Sequence, residues 1–290
     1  MTAEERNIKE ALEKSGFPLE LEIASIVEET STSDEHWLIR YNDYYYDEEQ
    51  QKGREIDISA TKFATHSSPG EFILRISPTI LFECKKCANS AWVFFIKGNH
   101  PSLSRGQYFD TFQLIDNPTS ELKHVYSFLL HNRDCKKLST VATSYCQVRF
   151  DKPQIVEKSE IFEGTRQLVK AIRWEYLSRL GLFGPVQSDD VIFALFPTIV
   201  FDGTMYEAHL DKGALSLNPT EHVIVRTDYK APATDFWQDF QEFYIDVVSK
   251  SSFDKWLEAT NEDIRSIQDI VKDEKLMTKR LQLRSKFLHN

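Results

Sequence analysis

The chain has 290 residues, a formal net charge of −10, 41% hydrophobic and 28% charged residues, and few Gly or Pro. That length allows one large domain or two modest ones around a packed core, and the composition excludes collagen-like and low-complexity classes. The acidic balance counts against a surface that coats nucleic acid broadly, because phosphate contacts need Lys and Arg, but it leaves room for a local basic groove.

Residues 4–15 carry Ile8, Ala11 and Leu12 on one stripe and predict a helix. Gly16-Phe17-Pro18 breaks it. A second helix is expected from about Leu19 to Glu29, with Ile23, Ala24 and Val27 on a buried face. Glu20 shares that inward stripe; taken alone, it reads as a first-turn acid favoured by the helix dipole. His36 to Tyr41 and Tyr44 to Tyr46 read as extended, and Asp47 to Gly53 as the turn back. The next strand, about Arg54 to Lys62, sets Asp57 between Ile56 and Ile58. A third strand is expected over Phe72–Ile76 and Thr79–Lys85, interrupted at Pro78.

Trp92 to Ile96 is a short apolar segment, and residues 100–122 read as an insertion or loop. A strand is expected around Ala142 to Phe150, then a long helix from Ser159 to a stop at Gly181. Val191–Phe196 and Thr198–Phe201 predict a buried strand, with a hairpin turn at Asp202-Gly203. His222–Thr227 and Phe243–Val248 read as further strands. A helix capped at Ser251-Ser252-Phe253-Asp254 is expected to about Thr260, and a final helix over 261–288. Residues 272–290 hold six basic and two acidic residues, which suits a solvated or partner-packing tail.

One stretch stands out chemically. The apolar run Ile76 to Phe82 leads into Glu83-Cys84-Lys85. Alternation along a strand puts Glu83 and Lys85 on one face and turns Cys84 to the other. An acid and a base at the end of a buried strand need a partner or a task. The bland alternative is an exposed strand-end ion pair, with Asp57 a turn acid. Cys84 and Cys87 have C-x-x-C spacing, but Cys135 and Cys146 do not, so reduced cysteines are expected rather than a zinc site. His66, His100, His124 and His131 form no H-x-x-x-H pair with a nearby acid. No P-loop, G-x-G-x-x-G or G-x-S-x-G occurs.

An Asp in one strand, followed by Glu-x-Lys at the end of the next, resembles the PD-(D/E)XK nuclease superfamily. The resemblance covers residues 16–86, and residues 159–201 by order of elements alone. Its Pro-Asp pair is absent, since Ile56 precedes Asp57. It implies an α/β, restriction-endonuclease-like α-β-β-β-α-β core, with a central mixed sheet flanked by helices. That core would span 1–201 with an insertion at about 87–158. Residues 202–290 would be a C-terminal extension with a hairpin, a strand and terminal helices.

For function, the resemblance implies a Mg²⁺-dependent endonuclease, with Mn²⁺ as a substitute, acting on DNA in repair, recombination or defence. Glu20, Asp57, Glu83 and Lys85 would be its catalytic set. Glu20, Asp57, Glu83 and the backbone carbonyl of Cys84 would be its metal ligands. Gln167 and Arg166 on the later helix would be supplementary polar residues. The alternative is a catalytically inactive nuclease-fold protein that binds nucleic acid or a protein partner. A homo-oligomer is allowed. No apolar run reaches membrane-spanning length, and Met1–Arg6 lacks a signal-like pattern, so a cytoplasmic protein without membrane association is expected.

Overall fold

A computed structural model of the chain describes residues 1–33, 35–64, 75–96, 113–114, 141–156, 159–179, 191–228 and 242–271. The expectations for residues 100–122, for Cys135, for His66, His100, His124 and His131, and for the tail after 271 lie outside the described residues, apart from the Gln113–Leu114 bridge. The fold is α/β, a large mixed sheet flanked by a few helices. No helix among the described residues is long and apolar enough to cross a membrane.

Helix α1 (Ala3–Lys14) starts at a capping box in which Thr2 and Glu5 satisfy each other's backbone N–H groups. Helix α2 (Phe17–Glu29) follows at once. Pro18 falls in its first turn, where a missing N–H costs nothing, and Leu19, Ile23, Ala24 and Val27 are buried. Strands β1 (Glu35–Asp47) and β2 (Lys52–Ala64) form an antiparallel hairpin. Its turn is held by Asp47 Oδ1, which accepts from Glu49 N and Gln50 N at 3.1 Å each.

Strand β3 (Arg75–Ile96) runs unbroken through Pro78 and on through the Trp92–Ile96 segment, correcting the expected interruption. Pro78 is tolerated because the β2 ladder stops beside it, at Thr61↔Thr79. After the bridge β4 (Gln113–Leu114) come β5 (Val141–Arg149), the short β6 (Ile155–Val156) and helix α3 (Glu160–Arg179). Strand β7 (Val191–Asp211) lies parallel to β3 along nearly its whole length, from Arg75↔Val191 to Ile96↔His209.

The predicted hairpin at Asp202-Gly203 is not there, since both residues lie inside β7. Position 203 needs glycine for a different reason. A Cβ on Gly203 would sit 2.7 Å from the Cys87 carbonyl oxygen, at a bulge where β3 runs ahead of β7. The actual turn is Lys212-Gly213, both at positive φ, leading to β8 (Ala214–Pro219). Residues 201 and 202, expected to divide core from extension, are consecutive positions of this one strand.

Strands β9 (His222–Asp228) and β10 (Glu242–Ser249) complete the sheet. Helix α4 (Phe253–Val271) is continuous where two helices were expected. Asn261 lies within it, and its Oδ1 accepts from the buried Lys62 Nζ at 3.0 Å, which ties the helix to β2.

The pairings close a circuit. β3 pairs with β7, β7 with β10, β10 with β9, β9 with β5, and β5 with the far half of β3. Apolar residues cover both faces. Ile58, Ile80, Phe82 and Cys84 pack with α2 and α4, while Leu81, Trp92, Phe94 and Ile199 pack with α3.

Candidate functional site

One edge of β3 is shared by two strands. β2 occupies it up to the Ile58↔Phe82 pair, and β5 takes it from Ser90 onward. Between them, from Glu83, β3 has no strand partner on that edge among the described residues. Asp57 stands one step beyond the last β2 pair, where Glu83 is the next position of β3. β1 breaks at the same level: Tyr41↔Ile58 and Asp43↔Ile56 are paired, but Asn42, at φ 49°, leaves the ladder opposite Asp57. The backbone N–H of Cys84 would be orphaned in this gap. Asp57 Oδ2 accepts from it at 2.7 Å.

Alternation then sets the faces. Glu83 and Lys85 lie on the α3 side, while the Cys84 thiol is buried with Phe82 on the α2 and α4 side. Lys85 Nζ donates to Glu83 Oε2 in a short ion pair and lies 3.9 Å from Asp57 Oδ2. Glu20, in the first turn of α2, closes the gap from the helix side. A Cβ on Gly16 would meet Glu20 Oε1 at 3.2 Å and the Cys84 carbonyl oxygen at 4.0 Å. The structure thus gathers Glu20, Asp57, Glu83, Lys85 and the Cys84 carbonyl about one break in the sheet.

Electrostatics follows from burial. The side chain of Glu83 is fully buried, and burial pushes its carboxyl up to about 8; Lys85 opposes this, while Asp57 and Glu20 add to it. Burial also raises Asp57, against Lys85 and the Cys84 N–H, and raises Glu20, with Asp57 adding. Burial pulls Lys85 down, but Glu83 and Asp57 outweigh it, and the ammonium is held above its usual range. Burial raises the Cys84 thiol, so it stays protonated. Glu83 Oε1 is buried without a hydrogen-bond partner among the described residues. An acceptor left so costs about 1–3 kcal/mol.

Helix α3 supplies two residues that the sequence pattern did not single out. Gly164 lies against the lysine: a Cβ there would be 3.5 Å from Lys85 Cε and 3.3 Å from Ile199 Cδ1. One turn earlier, burial raises the Glu160 carboxyl and Lys85 lowers it. The only available signal was an acid in the first turn of the predicted helix. Arg166, expected near the site, instead reaches Glu49 Oε2 at 3.2 Å and lies over the Phe162 ring. The Cys84 and Cys87 thiols have separate surroundings, since Cys87 Sγ contacts Ser90 Oγ at 2.8 Å.

The donor set suits a hard divalent cation: carboxylate oxygens, a carbonyl and one orphan acceptor. As the side chains stand, no three or more His, Cys, Asp or Glu groups among the described residues are disposed to hold a metal. The Lys85 ammonium lies between Glu83 and Asp57 instead. No family model, curated protein or solved structure matches the chain.

Proposed function

We propose that the chain is a divalent-metal-dependent phosphodiesterase of the PD-(D/E)XK type, acting on nucleic acid, DNA foremost. One observation carries this reading: Glu83 is fully buried, with one oxygen bound to Lys85 and the other without a partner among the described residues, beside Asp57 and at a break in the strand pairing. A purely structural ion pair has no use for that oxygen or that break. The element order adds support. With β4, β5 and β6 set aside as insertions, helix, three antiparallel strands, helix, and a strand parallel to the third is the order of the α-β-β-β-α-β core.

In this proposal Glu20, Asp57, Glu83 and the Cys84 carbonyl hold Mg²⁺ or Mn²⁺. The ion would polarise the phosphoryl oxygen and supply a water of lowered pKa. Lys85 orients the attacking water and offsets charge on the phosphorane-like transition state. Its raised pKa favours this charged role over that of a general base at neutral pH.

Purified protein with Mg²⁺ or Mn²⁺ is expected to cut plasmid or branched DNA, and Asp57→Ala or Lys85→Ala to lose roughly a hundredfold or more in rate. Cutting that persists undiminished in both variants would remove these residues from the mechanism.

A second reading, a nuclease-fold protein that binds a partner without cutting, is favoured by the net charge of −10. It predicts no Mn²⁺ heat that depends on Asp57 and Glu83.

A further inference from the structure

Lys85 occupies the position that the chemistry assigns to a cation. Its ammonium sits on Glu83 Oε2 and faces Asp57 Oδ2 at 3.9 Å. A divalent ion entering there competes with the ammonium for the same carboxylate oxygens and repels it, which favours an outward shift of the ammonium. The ammonium then needs another acceptor within reach of its four-carbon stem.

The end of the Lys85 stem runs past Gly164, where α3 presents no side chain. Residues i and i+4 share a helix face, so Glu160 lies on the face of α3 that Gly164 turns to Lys85, one turn nearer the helix start. Burial raises its carboxyl and the Lys85 charge lowers it. The helix start is fixed in place: Glu160 N donates to Gln147 Oε1 at 3.2 Å, and Phe162 N to Ser159 Oγ at 3.3 Å. The alternatives near Lys85 are spoken for, because Glu20, Asp57 and Glu83 are the proposed metal ligands.

We propose, resting on the metal-dependent activity above, that Lys85 is the site's resident counter-cation, and that Glu160 receives its ammonium when Glu83 and Asp57 turn to a divalent ion. Glu160 is then a positioning residue. It binds no metal itself, and it supports metal affinity only through Lys85. The same movement would carry the ammonium from between the carboxylates to the rim, where Lys85, one-fifth exposed, meets a substrate phosphate.

A double-mutant cycle read by calorimetry tests this, with MnCl₂ titrated into the full chain. Glu160→Gln is expected to weaken Mn²⁺ binding about five- to tenfold in the wild-type background. In a Lys85→Met background the same change is expected to have no effect. Glu160→Asp, which keeps the charge, should recover part of the loss, and thermal melts confirm that each variant is folded. An equal loss in both backgrounds makes Glu160 a direct ligand or a long-range charge and overturns the proposal, as does no loss in the wild-type background. If the wild-type chain gives no Mn²⁺ heat that Asp57→Ala abolishes, the metal-dependent activity itself fails, and this inference with it.

Discussion

At the scale of single residues, Glu83 is the most consequential position. Burial pushes its folded-state carboxyl up to about 8 against the opposing Lys85 charge, so the pair with Lys85 is fully ionic only toward the alkaline end, whereas an unfolded glutamate releases its proton at about pH 4.3. Between those values the folded state binds more protons than the unfolded one. The contribution of Glu83 to stability is therefore fully present below the lower value and is lost as pH rises toward 8. Glu83→Gln keeps the shape and removes this ionisation. Thermal melts without added metal should show the variant gaining on the wild type as pH rises from about 5 to about 8. A constant difference across that range would refute the assignment. Metal binding runs the other way, since a divalent ion must displace the Glu83 proton, so affinity should climb with pH over the same window.

Glycines carry a second lesson at this scale. Gly213 needs its φ of 87° for the turn, and Gly213→Ala should cost about 1 kcal/mol. Gly203 is held by crowding rather than by φ: a Cβ there would meet the buried Phe201 ring and, at 2.7 Å, the Cys87 carbonyl, and neither steps aside cheaply. Gly203→Ala should cost more than Gly213→Ala, about 1–3 kcal/mol by denaturant melts.

At the scale of elements, the setting of α3 over Lys85 rests on a buried ion cluster. Lys170 Nζ bridges Asp47 Oδ2 and Glu49 Oε2 at 2.8 Å each, and Arg54 joins Asp47 at 3.1 Å. Arg173 adds Glu48 at 2.7 Å. These contacts tie the middle of α3 to the β1–β2 turn. The cluster adds little net stability over apolar packing, but removing Lys170 leaves the buried Asp47 with Arg54 and its turn N–H groups alone to balance it. Lys170→Met should therefore destabilise by about 1–3 kcal/mol in denaturant melts. Because α3 covers Lys85, the variant should also slow any DNA cleavage at temperatures where it remains folded. Full stability in Lys170→Met would mean that the turn holds α3 by other contacts.

At the scale of the whole molecule, β3 and β7 are the spine. At 22 and 21 residues they are the longest strands described, and β3 exchanges neighbours midway along its length. That exchange makes the gap in which Asp57, Glu83 and Lys85 meet. The sheet also ties residues before 201 to residues after it. Val223, Val225, Phe243, Ile245 and Val247 lie in the same apolar cluster as Leu81 and Trp92. A fragment ending at residue 201 would lose those side chains and cut β7 in half. It should fail to give a cooperative unfolding transition by circular dichroism; a cooperative melt would show that the first 201 residues fold alone.

Hydrophobic period is a local property, so the element types could be read from the chain: α1, α2, α3 and the strands β1, β2, β5, β9 and β10 fall within a few residues of their expected places. That Glu83 and Lys85 share a face was equally legible, since alternation is built into any strand. The lengths of β3 and β7 were not, because Pro78 and Asp202-Gly203 carry strong local turn signals that partner strands override. Folding was also needed to bring Gly164 against Lys85, and Glu160 within range of its charge, since both lie far from Lys85 along the chain. The acid-base pair at a strand end becomes a site only through tertiary pairing, because the break on the β3 edge depends on where β2 stops and β5 begins, which no local pattern encodes.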